Sequence, residues 1–173
     1  MKKILLTLLL SLSITAVNAN DFVDEIKDIV GTSPEVNINL GTGLISTIMA
    51  LVDEDDDDAK KAAAALSGLD KLRVTVFDIS DNNNSQQLTE LIKDKIDDLS
   101  SQGYEQIVTV KDDDEMVHII AKVNGELLEN VMIVVMEDGD ELVVVSMDGE
   151  IDIKQLAQLS DEFDVDLSDI LDS

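Results

Sequence analysis

From Glu115 to Glu150 the chain alternates apolar runs with short polar corners. The runs are Met116–Val123, Val131–Met136 and Leu142–Met147, separated or closed by Asn124-Gly125, Asp138-Gly139 and Asp148-Gly149. Asn-Gly and Asp-Gly supply the positive φ values of tight hairpin turns, so this pattern predicts an antiparallel meander. Tyr104–Val110 opens the meander, and the polar turn Lys111–Asp114 leads into its next strand.

Upstream, Phe22, Ile26, Ile29 and Val30 share one helical face, with Gly31 as a C-terminal cap. Pro34 forbids continuation. Val36, Ile38 and Leu40 alternate with polar residues, which predicts a short half-buried strand over Glu35–Leu40. Gly43–Val52 is apolar almost throughout and reads as a buried helix. Asp53–Asp58 precedes a second helix over Ala59–Leu66, where its charge suits the helix dipole. Leu72–Ile79 reads as a strand, with Leu72, Val74 and Val76 on one side and Thr75, Phe77 and Ile79 on the other.

Ser85 is placed to cap a helix whose face carries Leu88, Leu91, Ile92, Ile96 and Leu99, and Gly103 ends it. After the meander, Asp152 caps a last helix with a Leu156, Leu159, Phe163 stripe. The order α-β-α-α-β-α-β-β-β-β-α predicts an α+β fold, an antiparallel β-meander sheet packed with several helices.

One departure from simple alternation bears on association. Val131, Ile133 and Val135 face one side of their strand, yet Met132, Val134 and Met136 on the other are apolar too. Val143, Val145 and Met147 repeat the effect on the next run. An antiparallel strand with one wet face should alternate, so both sheet faces must be covered. Helices on both sides would do it. So would a partner subunit, for which Met132, Val134, Met136, Val143, Val145 and Met147 are the candidate contacts.

The beginning of the chain has a different character. Met1-Lys2-Lys3 precedes the largely apolar nine-residue run Ile4–Leu12, and Val17-Asn18-Ala19 is a small-residue cleavage pattern. This is a signal peptide, too short to span a bilayer, with cleavage expected after Ala19. The expected organisation is a signal peptide over 1–19, one α+β domain over 20–163 and an acidic tail over 164–173. With no lipobox Cys and no later run of about 18 apolar residues, the mature chain should be soluble in the periplasm or secreted, without membrane insertion.

Charge narrows the partners. The chain carries 38 Asp+Glu against 12 Lys+Arg, a net −26, and loss of Lys2 and Lys3 takes it to −28. Such a charge repels nucleic acid and anionic lipid and favours cations or basic partners. No Cys means no disulfide, thiol nucleophile or thiolate metal site, and 2% aromatics means an aliphatic core.

Candidate chemistry is sparse. His118 is the only histidine and sits inside a predicted strand, a poor place for a catalytic base. Asp55, Asp56, Asp57 and Asp58, and then Asp112, Asp113 and Asp114, crowd the hard oxygen ligands that calcium prefers. Neither cluster has the spacing or the glycine of an EF-hand loop, and solvated turns explain both. Gly41-Thr42-Gly43 follows a strand and opens a helix, but Ser46 holds the third glycine position and no parallel βαβ unit follows. No cofactor is expected.

Asn39-Leu40-Gly41 leading into an apolar helix, Ala64-Ala65-Leu66-Ser67-Gly68-Leu69-Asp70-Lys71-Leu72-Arg73-Val74 leading into a strand, and the closing Asp-Gly strands before Ile151-Asp152-Ile153 together resemble a family of small exported bacterial proteins, classified only as a domain of unknown function. The resemblance spans most of the mature chain. Many members look like lipoproteins; this chain lacks the Cys and is expected to be unanchored. The family implies no activity, cofactor or site.

The leading expectation is an exported, non-enzymatic domain that acts by self-association or by binding an envelope protein. A calcium-binding or cation-buffering protein using the acidic clusters is the alternative, and a carboxylate-based hydrolase is a third.

Overall fold

The computed structural model describes residues 19–50, 67–80, 84–112 and 115–153. In chain order the elements are α1 (Ala19–Val30), β1 (Val36–Gly41), α2 (Thr42–Ala50), β2 (Leu69–Asp78), α3 (Ser85–Ser101), β3 (Glu105–Lys111), β4 (Glu115–Asn124), β5 (Leu127–Glu137) and β6 (Glu141–Asp152). The strands form one six-stranded antiparallel sheet in the order β1-β2-β6-β5-β4-β3. The fold is α+β, and the meander over β3–β6 is present as the hairpin signals require. The expected signal segment up to residue 18, the predicted helix over Ala59–Leu66, most of the last predicted helix and the acidic tail over 164–173 lie outside the described residues.

The helix ends follow from local chemistry. Gly31 takes φ +76° and donates its N–H to Lys27 O at 2.8 Å, a left-handed cap on α1. Gly103 takes φ +86° after α3. Its N–H reaches Ser100 O at 3.1 Å while the Tyr104 N–H reaches Leu99 O at 3.1 Å, the paired bonds of a Schellman motif. Ser85 does not cap α3. It is the first helical residue, and its hydroxyl donates to the Asp138 carboxylate. The preceding Asn84 donates Nδ2–H to Ile29 O at 2.7 Å, tying the start of α3 to the end of α1.

The hairpin corners differ in detail from two-residue turns with paired positive φ. Asn124 pairs with Leu127, so the β4–β5 corner is Gly125-Glu126, and only Gly125 (φ +65°) is left-handed. A type II′ turn needs positive φ only at that first central residue. The β5–β6 corner is a three-residue loop closed by Asp140 N–H to Glu137 O at 3.1 Å. Asp148-Gly149 is no corner at all: β6 runs through it to Asp152. Gly149 instead permits a close backbone crossing, since a Cβ there would stand 2.4 Å from Gly68 O.

Both helices α1 and α3 lie on one face of the sheet. Phe22, Ile26 and Val30 of α1 and Leu88, Ile92, Ile96 and Leu99 of α3 pack onto Phe77, Ile120, Met132, Val134, Met136, Leu142 and Val144. This is the main core, and it is aliphatic apart from two phenylalanines. The second face holds a smaller cluster in which Ile45 of α2 covers Leu69, Ala121, Leu128, Val131 and Ile151. Only Ile45 of α2 is buried; Leu44 and Ile48 are exposed. A nine-residue helix at one end of the sheet has one side to bury, so over its described part, residues 43–50, the expected buried helix over Gly43–Val52 is buried on one side only.

Candidate functional site

The register of the sheet brings together a surface that no single segment reveals. On the face away from α1 and α3, six valines stand side by side, one per strand: Val36, Val76, Val143, Val135, Val117 and Val110. The adjacent row is Ile38, Val74, Val145, Ile133, Ile119 and Val108, again one residue per strand. β-branched side chains suit a pleated surface, and opposed pairs of them stabilise it by roughly 0.2–1 kcal/mol each. Yet none of these side chains is buried. The central ones are half-buried, and Val36, Ile38 and Val110 at the two edges are 40, 43 and 47% exposed. No charged group stands in either row of a chain with net charge −26.

A third row, Leu40, Leu72, Met147 and Val131, runs into the cluster under α2. The second face is therefore closed at one end by α2. Beyond the third row, the two aliphatic rows above form a contiguous patch larger in character than the scattered apolar residues of an ordinary surface.

The candidate contacts divide between the faces. Met132 and Met136 are 5% exposed and Val134 is 2% exposed, all beneath α1 and α3. They are core residues, not interface residues. The pleat gives the reason: Met132, Val134 and Met136 pair with Ser146, Val144 and Leu142 on the helix side. Val143, Val145 and Met147 lie on the other face. The remaining members of the two rows come from β1, β2, β3, β4 and β5; Val36/Ile38, Val74/Val76 and Ile133/Val135 are each legible in the sequence as one side of a strand. Their alternation was visible; that all six strands present it to the same side depends on the pairing order.

The acidic candidates form no centre within the described residues. Asp112 lies at the exposed β3–β4 turn, where its N–H donates to Glu115 O at 2.9 Å. Asp55, Asp56, Asp57, Asp58, Asp113 and Asp114 lie outside the described residues. Among the described residues, no group of three or more His, Asp or Glu side chains is placed to hold a metal ion. No helix among them is long and apolar enough to cross a membrane.

Elsewhere on the helix-side face, Arg73 donates to Ser146 Oγ and Asp148 Oδ2, each at 3.1 Å. Burial and the nearby Asp148 carboxylate raise the Tyr104 pKa, while the Tyr104 ring lies 4.9 Å below Lys122 Nζ. Asp78, at the end of β2, accepts from the hydroxyl and N–H of Ser80, and those bonds lower its pKa.

His118 lines a shallow groove of ≈ 300 Å³ between α3 and the β3–β4 edge, with Thr109 Oγ1 at 3.4 Å from Nδ1. Burial lowers its pKa from 6.5. As pH falls, the unfolded chain takes up this proton before the folded chain does. The His118 contribution to stability is therefore complete above pH 6.5 and is lost as pH drops through the folded-state value. Urea midpoints measured from neutral pH down to about pH 5, above the carboxylate range, should fall for the wild type and fall less for His118→Gln. Parallel curves would show that His118 is not desolvated.

No curated protein and no solved structure matches the chain. A family model does, over residues 31–159, which takes in every described strand and the described helices α2 and α3. The chain belongs to that family, described as a domain of unknown function, DUF4252.

Proposed function

We propose that this is an exported, soluble, non-enzymatic protein that acts in the periplasm by protein association through the open apolar sheet face, either with itself or with an envelope protein. The observation that carries the reading is the pair of six-residue aliphatic rows, uncharged and incompletely buried. Leaving such a patch in water forgoes roughly 25 cal/mol for each Å² that a partner would cover. The basic start, apolar run and Val17-Asn18-Ala19 pattern support export, and the absence of Cys supports an unanchored mature chain.

Electrostatics makes a specific demand on the self-association arm. Two copies each near −28 repel, and added salt screens that repulsion while strengthening apolar contact. Light scattering of the mature chain at tens of micromolar should show association that increases with sodium chloride. A dye that brightens on apolar surfaces should bind and be displaced as association proceeds. A strict monomer at all salt concentrations that also leaves the dye dark would overturn the reading.

A further inference from the structure

The two edges of the sheet are unequal. β3 has a bulge between Gln106 and Val108 and carries Glu105 and Lys111 at its ends, features that discourage strand addition. β1 has neither. Val36–Gly41 pairs with β2 in unbroken register, contains no charged residue and no proline, and exposes Val36 and Ile38. An uncharged, regular, exposed edge is a template for another strand.

Its sequence also identifies the strand it fits. Val36-Asn37-Ile38-Asn39-Leu40 has the same character read in either direction. We infer that β1 pairs antiparallel with β1 of a second copy about a two-fold axis through Ile38, joining two sheets into one. In that register Val36 stands opposite Leu40 of the second copy, Asn37 opposite Asn39, and Ile38 opposite itself. Apolar side chains meet on the open face and amides meet amides on the other, where their donors and acceptors are complementary. Glu35, the carboxylate nearest β1, stands opposite Gly41 of the second copy, so no like charges oppose each other across the joint. An isologous contact of this kind closes on itself, giving a dimer instead of a fibre. The Ile38 row then continues into the same row of the second copy, the Val36 row meets the second copy's Leu40 row, and α2, which packs against β1 and β2, adds exposed Leu44 and Ile48 on that flank.

This deepens the association reading and rests on it, naming both the edge and the partner. The chain has no Cys, so single introduced thiols report the register directly. Residues opposite each other in antiparallel strands have Cα atoms about 4.5–5.5 Å apart, within disulfide reach. Ile38→Cys in the full mature chain, oxidised with glutathione disulfide in high salt, should give a covalent dimer. Val36→Cys alone should not, because its own copy lies four residues along the strand, roughly 13 Å away. Mixing Val36→Cys with Leu40→Cys should restore the cross-link, as should mixing Asn37→Cys with Asn39→Cys. A wild-type dimer in which Ile38→Cys does not cross-link overturns the edge pairing and leaves association through the sheet face standing. A Val36→Cys homodimer overturns the register. A wild type that stays monomeric at every salt concentration overturns the edge pairing together with its register, and leaves the sheet face to an envelope partner.

Discussion

Phe77→Ala should cost about 3–5 kcal/mol of folding stability, a large share of the 5–15 kcal/mol that a domain of this kind possesses. Phe77 is fully buried on β2, paired with Leu142 and packed in the cluster that joins α1 and α3 to the sheet. The core offers little to refill the space, because its neighbours are aliphatic side chains held by the sheet pleat and two helices. Val74 lies on the same strand but on the opposite face and is half-buried. Val74→Ala should cost only about 1 kcal/mol, since the methyl groups removed are already partly in contact with water. Urea denaturation at constant slope measures both. Equal losses would mean that the two faces are equally closed and would remove the basis for an open interaction surface.

That contrast also explains what could and could not be read from residues alone. The helical stripes of α1 and α3 and the split of β2 into Thr75/Phe77/Ile79 and Leu72/Val74/Val76 are local periodicities, and the structure keeps them. Apolar runs on β5 and β6 pointed to two apolar faces, but not to which face the helices would take. That choice depends on where α1 and α3 dock, and it sends Met132, Val134 and Met136 into the core while leaving Val145 outside. Nor does any local pattern place β6 between β2 and β5. This long-range pairing aligns Val76 with Val143 and extends the apolar rows from the meander to β1. Gly43–Val52 misled for a related reason: its composition suits burial, whereas the end of the sheet offers contact to one side of α2 only.

Gly149→Ala should destabilise the protein by about 3 kcal/mol or more, combining a backbone conformation that L-residues rarely adopt with a direct collision. Gly149 has φ +123°, and a Cβ there would lie 2.4 Å from Gly68 O and 2.9 Å from both Asp70 N and Leu69 Cα. The reciprocal position is as tight: a Cβ on Gly68 would lie 2.1 Å from Glu150 O. Between them the Glu150 N–H donates to Gly68 O at 2.9 Å, and both β2 and β5 change register against β6 nearby, at Leu69/Lys71 and Glu129/Val131. The two glycines thus allow three strands to stay in contact across a pair of bulges, which is why the Asp-Gly signal here marks a crossing and not a corner. Gly68→Ala should cost about 2 kcal/mol or more by collision alone. In the double variant the strands need to separate only once, so the combined loss should fall short of the sum of the single losses. Denaturation midpoints of the four proteins give the coupling; additive losses would show that the two glycines relieve separate strains.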